Sequence, residues 1–278
     1  MSEKKVKNKV KKERLDVLLV ERGFFNSREN AKRHIMAGII LVDNMPVDKP
    51  GTKVYIDSEL RIKGKIMPYV GRGGYKLEKA LESFDIDLNN SVMMDIGAST
   101  GGFTDCALQK GARKVFAVDV GTNQLDWKLR SDCRVVNMEK TNIKEVTLER
   151  IGEKVDFIST DISFISVLKI IPAVNLILKD DGNLVILIKP QFEAGKEKVQ
   201  KGGIVKDSQV HRDVILKVLE KFEESGLYTW GLTYSPIKGG SGNIEFLAWL
   251  RKNQCSDINN KSVENVVLSA HKELEVNI

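Results

Sequence analysis

The stretch VMMDIGASTGGF, residues 92–103, decides the fold. In it an apolar run ends at Asp95 and a glycine-rich turn follows, after which residues 104–110 can form a helix that Gly111 ends. The next apolar run ends at Asp119, roughly 20 residues beyond the turn, where a ribose-binding acid stands in nucleotide-binding folds. The order strand, tight turn, helix, strand therefore predicts a βαβ unit that binds a ligand at the helix N-terminus. A βαβ turn with a purely structural role is the alternative.

The spacing of the glycines indicates which nucleotide would bind. Gly97, Gly101 and Gly102 form G-x-x-x-G-G and not the G-x-G-x-x-G of dinucleotide sites. No Gly-Lys-Ser/Thr follows, as it would in a phosphate-binding loop. A ligand with a ribose but no phosphate fits this pattern best, and S-adenosylmethionine is the common ligand of that kind.

Composition limits the class of protein. The chain has 278 residues, enough for two domains, and its net charge of +6 suits a polyanionic partner. Three scattered cysteines and three distant histidines predict neither a disulfide framework nor a metal site, and they favour a reduced, cytoplasmic setting. No apolar run is long enough to span a bilayer and none forms a signal-peptide core, so we expect no membrane association.

The first part of the chain predicts a small α+β domain. Residues 1–12 are rich in lysine and are expected to be a flexible basic arm, either a solubilising tail or a nucleic-acid contact. Residues 13–63 form the domain, with two short helices and three short strands near residues 14–23, 28–37, 39–43, 52–56 and 59–63. Its basic side chains predict either a solvated face or a phosphate-binding face: Arg14, Arg28, Lys32, Arg33 and Lys49.

The rest of the chain predicts an α/β domain with a doubly wound, Rossmann-like sheet. We expect a linker at residues 64–70, this domain at 71–252, and a tail at 253–278 with a loosely attached helix at 262–275. Seven strands are predicted, the last antiparallel, at residues 92–95, 114–119, 134–138, 156–161, 183–189, 228–235 and 243–250. Helices are predicted at residues 75–84, 104–110, 167–178 (interrupted by Pro172) and 209–225.

Four charged residues are expected to meet at one edge of this sheet. Asp161 and Lys189 end predicted strands, and ligands of open α/β sheets bind outside the carboxyl ends of the strands. Glu245 begins the antiparallel strand, which places it at the same edge, and Lys76 lies in the first turn of the helix before the first strand. The four form either a structural salt-bridge cluster or a catalytic site.

The catalytic interpretation follows from methyl transfer to an alcohol. A sulfonium donor is already a good electrophile, but a ribose 2′-hydroxyl must lose its proton as it attacks. A lysine next to a second lysine in a dry site has a lowered pKa and can accept that proton. We therefore predict Lys189 as the base, with Lys76 lowering its pKa and stabilising the oxyanion. Asp161 and Glu245 would hold the two ammonium groups.

Two sets of motifs resemble known families. RLD at residues 14–16, SRENAKRHIMAG at 27–38 and VDKP at 47–50 resemble the RNA-binding domain first seen in ribosomal protein S-four. The Lys-Asp-Lys-Glu set with DIGASTGGF resembles the FtsJ/RrmJ-like ribose 2′-O-methyltransferases. Over residues 13–252 the chain resembles the hemolysin A (TlyA) family of rRNA methyltransferases, in GRGGYKL (71–77), DVGTNQL (119–125), DISFIS (161–166), KPQFE (189–193) and SGNIE (241–245).

The resemblance implies a class I methyltransferase fold and 2′-O-methylation of cytidine in ribosomal RNA. Its cofactor would be S-adenosylmethionine and its partners ribosomal subunits; the oligomeric state is left open, with a monomer expected. RNA contact would fall to the five basic residues named above. Cofactor contact would fall to Asp95, Gly97, Ala98, Ser99, Gly101, Gly102, Phe103, Asp119, Val120, Asp161 and Phe164.

Other functions are less well supported by the sequence. Base-amine methyltransferases use an Asn/Asp-Pro-Pro-aromatic run, but Ile-Ser-Phe follows Asp161. Cytosine C5 chemistry needs a cysteine at the sheet edge, and the sequence places none there. A membrane-active haemolysin would need an apolar surface helix, which is not evident. A non-catalytic ribosome-binding assembly factor is the remaining alternative.

Overall fold

The computed structural model describes residues 11–25, 27–36, 38–63, 67–253 and 258–275. The chain divides into two compact units, and the boundary along the sequence lies between Pro68 and Tyr69. Residues 1–10 of the predicted basic arm lie outside the described residues. Lys12 does not belong to such an arm, because it begins a β-strand and its ammonium lies 4.3 Å from the centre of the Tyr55 ring.

The first unit is a small α+β fold, as predicted. Its elements are β1 (Lys12–Arg14), α1 (Leu15–Glu21), α2 (Arg28–Met36), β2 (Ile40–Val42), β3 (Met45–Pro46), β4 (Lys53–Tyr55) and β5 (Leu60–Ile62). β1 pairs with β4, and β2 lies between β3 and β5, all antiparallel. The two helices bury Leu15, Leu19 and Ile35 in one core, so the apolar spacing of the helices does place them against the strands.

The second unit alternates strands and helices around one sheet. Its first half contains α3 (Gly74–Phe84), β6 (Val92–Ile96), α4 (Gly102–Gln109), β7 (Lys114–Val118), α5 (Trp127–Arg130), β8 (Val135–Met138), α6 (Leu148–Ile151) and β9 (Val155–Thr160). The second half contains α7 (Ile171–Ile177), β10 (Leu178–Ile188), α8 (Pro190–Glu193), α9 (Ser208–Glu223), β11 (Tyr228–Tyr234), β12 (Phe246–Arg251) and α10 (Asn260–Glu275). Short 3-10 helices lie at Ile143–Glu145, Val167–Ile170 and Lys196–Lys198.

The sheet has the order β8-β7-β6-β9-β10-β12-β11, and β12 runs antiparallel to both of its neighbours. The predicted fold class, a seven-stranded Rossmann-like sheet with an antiparallel last strand, is therefore confirmed. From β6 the chain builds outward through β7 and β8 and then returns to β9 on the other side of β6. This reversal opens a crevice at the carboxyl ends of β6 and β9, where ligands of such folds bind.

Both faces of the sheet are buried. Successive strand residues point to opposite faces, so Met94 and Ile158 pack in one core while Met93 and Phe157 pack in the other. Strands covered on both sides are near-continuous apolar runs, and such runs allow the positions of the strands to be predicted from the sequence.

Several element boundaries differ from those predicted. Pro172 does not interrupt a helix: a 3-10 turn ends at Ile170, and Pro172 lies in the first turn of α7, where its missing N–H costs nothing. Tyr69 and Val70, predicted as linker, are buried in the second unit. The prediction of a loosely attached C-terminal helix is wrong, because α10 buries Val263, Val267 and Ala270 in the main core.

Candidate active site

The turn after β6 is tight enough to require glycine. Gly97 has φ +85°, and a Cβ there would lie 2.8 Å from the backbone oxygen of Asp161. A Cβ on Gly102 would lie 2.8 Å from the backbone nitrogen of Gly74, at the start of α3. The turn is therefore packed between the end of β9 and the first turn of α3, and no side chain fits between them.

Two cavities flank this turn. The larger, of about 340 Å³, is lined by the ends of β6, β7 and β9 and by the segment after β8. The smaller, of about 200 Å³, lies between the turn and Gly73. Among the described residues that line the larger cavity there are two carboxylates, Asp119 and Asp161, and no cation. A phosphate-free nucleoside that carries a positively charged sulfonium fits this lining, whereas a phosphate would meet only negative charge.

Asp119 stands at the end of β7 with a carboxylate fixed by backbone groups. Its Oδ2 accepts a hydrogen bond from the Ser99 N–H (2.7 Å) and its Oδ1 one from the Gly121 N–H (2.7 Å). Each carboxylate oxygen can accept a second hydrogen bond, and the side chain is only half-buried. The carboxylate is therefore oriented and retains the capacity to receive a pair of ribose hydroxyls.

Most of the residues predicted to bind the cofactor line these cavities. The larger one contains Gly97, Ser99, Asp119, Val120, Asp161 and Phe164, and the smaller one contains Ala98, Gly102 and Phe103. Two predicted residues do not reach either cavity, namely Asp95 and Gly101. A Cβ on Gly101 would collide with Leu129 and Leu125, so this glycine faces the core beneath the turn.

Asp95 is fully buried and bonds only within the protein among the contacts described. Its Oδ2 accepts a hydrogen bond from the Thr104 hydroxyl (2.7 Å), and its Oδ1 accepts one from Ser159 (3.3 Å), the residue opposite it on β9. Burial raises the pKa of Asp95 to about 7, and the nearby charge of Asp161 adds to the rise. Asp95 thus ties the start of α4 to the sheet, and it is not among the residues that line the two cavities.

Several residues that line the larger cavity were not predicted from the sequence. Thr141, Asn142 and Ile143 follow β8 and line this cavity. A signal for these three was available, since β8 is parallel to β7 and its carboxyl end must lie at the same edge.

The four charged residues predicted to converge do meet. Lys189 Nζ lies 2.5 Å from Asp161 Oδ1, and Lys76 Nζ lies 3.2 Å from Asp161 Oδ2. Lys76 Nζ also lies 2.8 Å from Glu245 Oε2, and Lys189 donates to the Ser163 hydroxyl at 2.8 Å. Side-chain exposure is 9% for Lys76, 8% for Lys189, 20% for Asp161 and 3% for Glu245. We call these four residues the tetrad.

The tetrad lines a third cavity, of about 450 Å³. Asp161, Ser163 and Phe164 line both this cavity and the larger cavity beside the turn. Phe164 is almost fully exposed at the boundary, with φ +68°, which is an uncommon backbone conformation for a bulky residue. A ligand in the larger cavity and a substrate in the tetrad cavity would therefore share one wall.

The charges around Lys76 and Asp161 stabilise the ionised forms of these two residues. Burial alone would lower the pKa of Lys76, but the carboxylates of Asp161 and Glu245 outweigh it and raise the pKa above the usual lysine value. Burial would raise the pKa of Asp161, but the two ammonium groups lower it. Lys76 is thus a stable ammonium. The Asp161 carboxylate lies between Lys76 and Lys189 and pairs with both.

In the first unit the predicted RNA-binding residues are partly paired. Arg14 and Arg28 both bind the buried carboxylate of Asp16, Arg14 through Nε at 2.9 Å and Arg28 through Nη2 at 2.7 Å. These bonds outweigh burial and lower the pKa of Asp16 to about 2. Lys32 pairs with Glu29 on its own helix. Arg33 is half-buried and Lys49 exposed.

Two absences hold for the described part of the chain. There, no group of three or more histidine, cysteine, aspartate or glutamate side chains is arranged to hold a metal ion. None of the helices described is long and apolar enough to cross a bilayer.

Comparison with known families agrees with this geometry. The profile of the FtsJ-like methyltransferases matches residues 69–252, and that of the S4 domain matches residues 13–59. The chain therefore belongs to the FtsJ-like methyltransferase family and carries an S4 domain in front of its methyltransferase domain.

Individual relatives place it more narrowly. The chain is 48% identical over 270 residues to "Putative rRNA methyltransferase YqxC" of Bacillus subtilis (95% of this chain, 96% of that one). It is 41% identical over 261 residues to "16S/23S rRNA (cytidine-2'-O)-methyltransferase TlyA" of Mycobacterium tuberculosis (94% and 97%). The solved structure of a "Putative hemolysin from Streptococcus thermophilus" aligns with TM-score 0.76 at 47% identity (96% and 98%). The resemblance to the TlyA and hemolysin A family is confirmed.

Proposed function

We propose that this chain transfers a methyl group from S-adenosylmethionine to the 2′-hydroxyl of cytidine in ribosomal RNA. The observation that carries the proposal is the tetrad, a buried set of two ammonium groups and two carboxylates in a cavity that adjoins the nucleoside-sized cavity at the glycine turn. The activities named for the relatives support the same reaction and the same nucleotide.

The residues beside the turn would hold the methyl donor. When bound, the donor supplies an electrophilic methyl group on a sulfonium and leaves as a neutral thioether. Asp119 would accept hydrogen bonds from the ribose hydroxyls. The Asp161 carboxylate would lie near the sulfonium and stabilise its positive charge. Asp95 and Gly101, which do not line the cavity, would keep the turn in the conformation that the donor requires.

The tetrad would manage the proton of the accepting hydroxyl. Lys189, once its own ammonium proton has passed to solvent, would accept the 2′-hydroxyl proton on Nζ as the oxygen bonds to the methyl carbon. Asp161 and Ser163, which already contact Lys189 Nζ, would stabilise the ammonium that forms. Lys76 keeps its own proton because Asp161 and Glu245 raise its pKa, so its ammonium can stabilise the developing oxyanion.

The first unit would bind the RNA. We assign RNA binding to residues 13–63 and methyl transfer to residues 71–252. The guanidinium groups of Arg14 and Arg28 are held by Asp16 with about half of each side chain exposed (44% and 51%), which leaves donors for phosphates. Lys32, Arg33 and Lys49 would add to this surface. Ribosomal subunits are the proposed partners, and such a substrate implies a cytoplasmic location and allows a monomeric enzyme.

Mapping of ribose methylation tests the proposal directly. Ribosomal RNA from cells with and without the gene for this chain would be digested and its 2′-O-methylcytidines located by mass spectrometry. We expect at least one 2′-O-methylcytidine to disappear with the gene and to return with the wild-type copy. An unchanged methylation map, or loss of a base methylation instead, would refute the assignment.

A further inference from the structure

The segment between α8 and α9 forms one wall of the tetrad cavity. Val199 and Gly203 line the cavity from this segment, and Gly240 and Ser241 line it from the loop between β11 and β12. We call residues 195–204 the lysine turn, because it carries Lys196, Lys198 and Lys201.

The lysine turn has a defined backbone. Gln200 and Ile204 form an antiparallel bridge, and Gly202 and Gly203, both with positive φ, close the turn between them. The fully buried Asn243 ties its base to the β12 side of the sheet. Its Nδ2 donates to the Gly203 carbonyl (2.8 Å) and its Oδ1 accepts from the Val205 N–H (2.8 Å). The turn is therefore positioned by the residue two before Glu245 of the tetrad.

The lysines of this turn are exposed, and their charges are not paired within the described residues. Within the described parts of the chain, Lys196, Lys198 and Lys201 make neither an ion pair nor a side-chain hydrogen bond. The carboxylate of Glu197 is the one acidic group within residues 195–204. Cations without partners give up no existing pair when they meet a polyanion, so their charge is available for binding.

Two more cations lie in segments that pass close to the tetrad. Arg72 is exposed and its Nη2 donates to the backbone oxygen of Lys238 (3.3 Å), so the two residues lie together. Each is next to a glycine that lies close to a carboxylate of the tetrad. A Cβ on Gly73 would lie 3.8 Å from Asp161 Oδ2, and one on Gly239 would lie 2.4 Å from Glu245 Oε1. Cations thus lie on two parts of the chain that adjoin the tetrad cavity, the lysine turn and the pair Arg72 and Lys238.

We propose that the lysine turn, together with Arg72 and Lys238, is a phosphate-binding rim that holds the RNA backbone on either side of the nucleotide in the tetrad cavity. The inference rests on the proposed function. A ribose that reaches the buried tetrad brings its own 5′ and 3′ phosphates to the mouth, where the rim cations meet them. Contacts of this kind position a strand without reading its sequence, so the rim serves register and affinity and leaves base choice to the cavity.

The test uses the full-length chain carrying K196Q, K198Q and K201Q together. The control carries K221Q, K261Q and K272Q on the exposed side of α9 and α10, which gives the same loss of charge on the same unit. Binding to intact ribosomal subunits and to protein-free ribosomal RNA is measured at several salt concentrations, together with S-adenosylmethionine affinity and methylation kinetics. A third variant, K196R with K198R and K201R, keeps the charge.

We expect the glutamine variant to bind both RNA targets more weakly and to have a salt slope smaller by about 2 to 3, since each lost phosphate contact removes about 0.7 to 0.9. Its KM for RNA should rise by roughly 10-fold or more, with unchanged cofactor affinity, and the arginine variant should behave as wild type. RNA affinity equal to that of the control would overturn the rim. The phosphate-binding rim would also be overturned if the glutamine variant bound intact subunits more weakly but protein-free RNA normally. That result would mean that the lysines contact a ribosomal protein and not the RNA backbone. A wild-type chain that binds RNA through the rim yet methylates nothing would instead overturn the proposed function.

Discussion

The Lys76–Glu245 pair permits a quantitative test of the tetrad. The two side chains are 9% and 3% exposed and lie 2.8 Å apart, so neither charge is well solvated. The tetrad as a whole has two positive and two negative charges and is neutral. Lys76→Met leaves one unbalanced negative charge, and Glu245→Gln leaves one unbalanced positive charge. Each single change should lower the free energy of unfolding by about 3 kcal/mol or more, the usual cost of breaking a buried pair.

The double variant should cost much less than the sum of the singles. With both changes the site is neutral again, and Asp161 still pairs with Lys189. Replacing a buried pair by neutral groups of similar shape is often close to neutral in stability, so the coupling free energy should be at least about 3 kcal/mol and should approach the sum of the two single losses. The pKa of Lys76 is raised by its partners, so this stabilisation is present in full below the unfolded lysine pKa and is lost only in strongly alkaline solution. An experiment near neutral pH therefore observes the whole effect.

Urea unfolding followed by tryptophan fluorescence is the suitable assay. All three tryptophans, Trp127, Trp230 and Trp249, lie in the second unit, so their signal reports on the unit that contains the tetrad. The slope of each transition shows whether the variants unfold in the same way as wild type. Single losses that add within about 0.5 kcal/mol would refute the reasoning, because they would mean that the two groups do not interact in the folded chain.

Three further predictions concern single aspartates. Asp119→Ala should weaken S-adenosylmethionine binding by about 1.5 kcal/mol or more in calorimetry, since two charge-assisted hydrogen bonds are lost; unchanged affinity would exclude ribose recognition there. Asp16→Asn adds positive charge but releases the guanidiniums of Arg14 and Arg28, so RNA binding in filter assays should weaken by about 1 kcal/mol, whereas general attraction would tighten it. Folding raises the pKa of Asp95 to about 7, so this group destabilises the folded state as the pH rises from about 4 to 7. In urea unfolding over this pH range, the free energy of unfolding of wild type should therefore fall relative to that of Asp95→Asn. The same dependence on pH in both proteins would contradict this.

The fold and the position of the tetrad were predictable because both depend on strand ends. Parallel strands buried on both faces are continuous apolar runs, so Asp161 and Lys189 could be recognised as the residues that end two of them. The short loop before β12 fixed its direction and hence the edge at which Glu245 lies. Periodicity locates an element's end, and sheet topology brings those ends together.

The pairing inside the site was not predictable in the same way. The sequence predicts which four side chains meet, but the central position of Asp161 between two lysines depends on distances that strand ends do not specify. The sequence pattern also predicts that Asp95 lies beside the ligand. Its side chain instead points below the glycine turn, where it accepts hydrogen bonds from Thr104 and Ser159. Spacing along a strand does not reveal which way the last side chain points.

Two further features were not predicted from the sequence, for different reasons. The lysine turn was not recognised, because the anchor Asn243 is 38 residues away from Val205. The polar composition of the C-terminal segment predicts a loosely attached helix, yet Val263, Val267 and Ala270 recur at helical spacing and form its buried stripe. That stripe was the usable signal.

The central claim is that the tetrad moves the proton of a ribose hydroxyl, and methyl transfer by Lys189→Ala tests it most directly. Tritiated methyl transfer to ribosomal subunits would be measured for wild type and for the variant, with S-adenosylmethionine affinity determined on the same preparations. The account predicts wild-type donor affinity and transfer slower by about 10²-fold or more, with 2′-O-methylcytidine as the wild-type product. Normal transfer by Lys189→Ala, with the donor bound as tightly as by wild type, would contradict it.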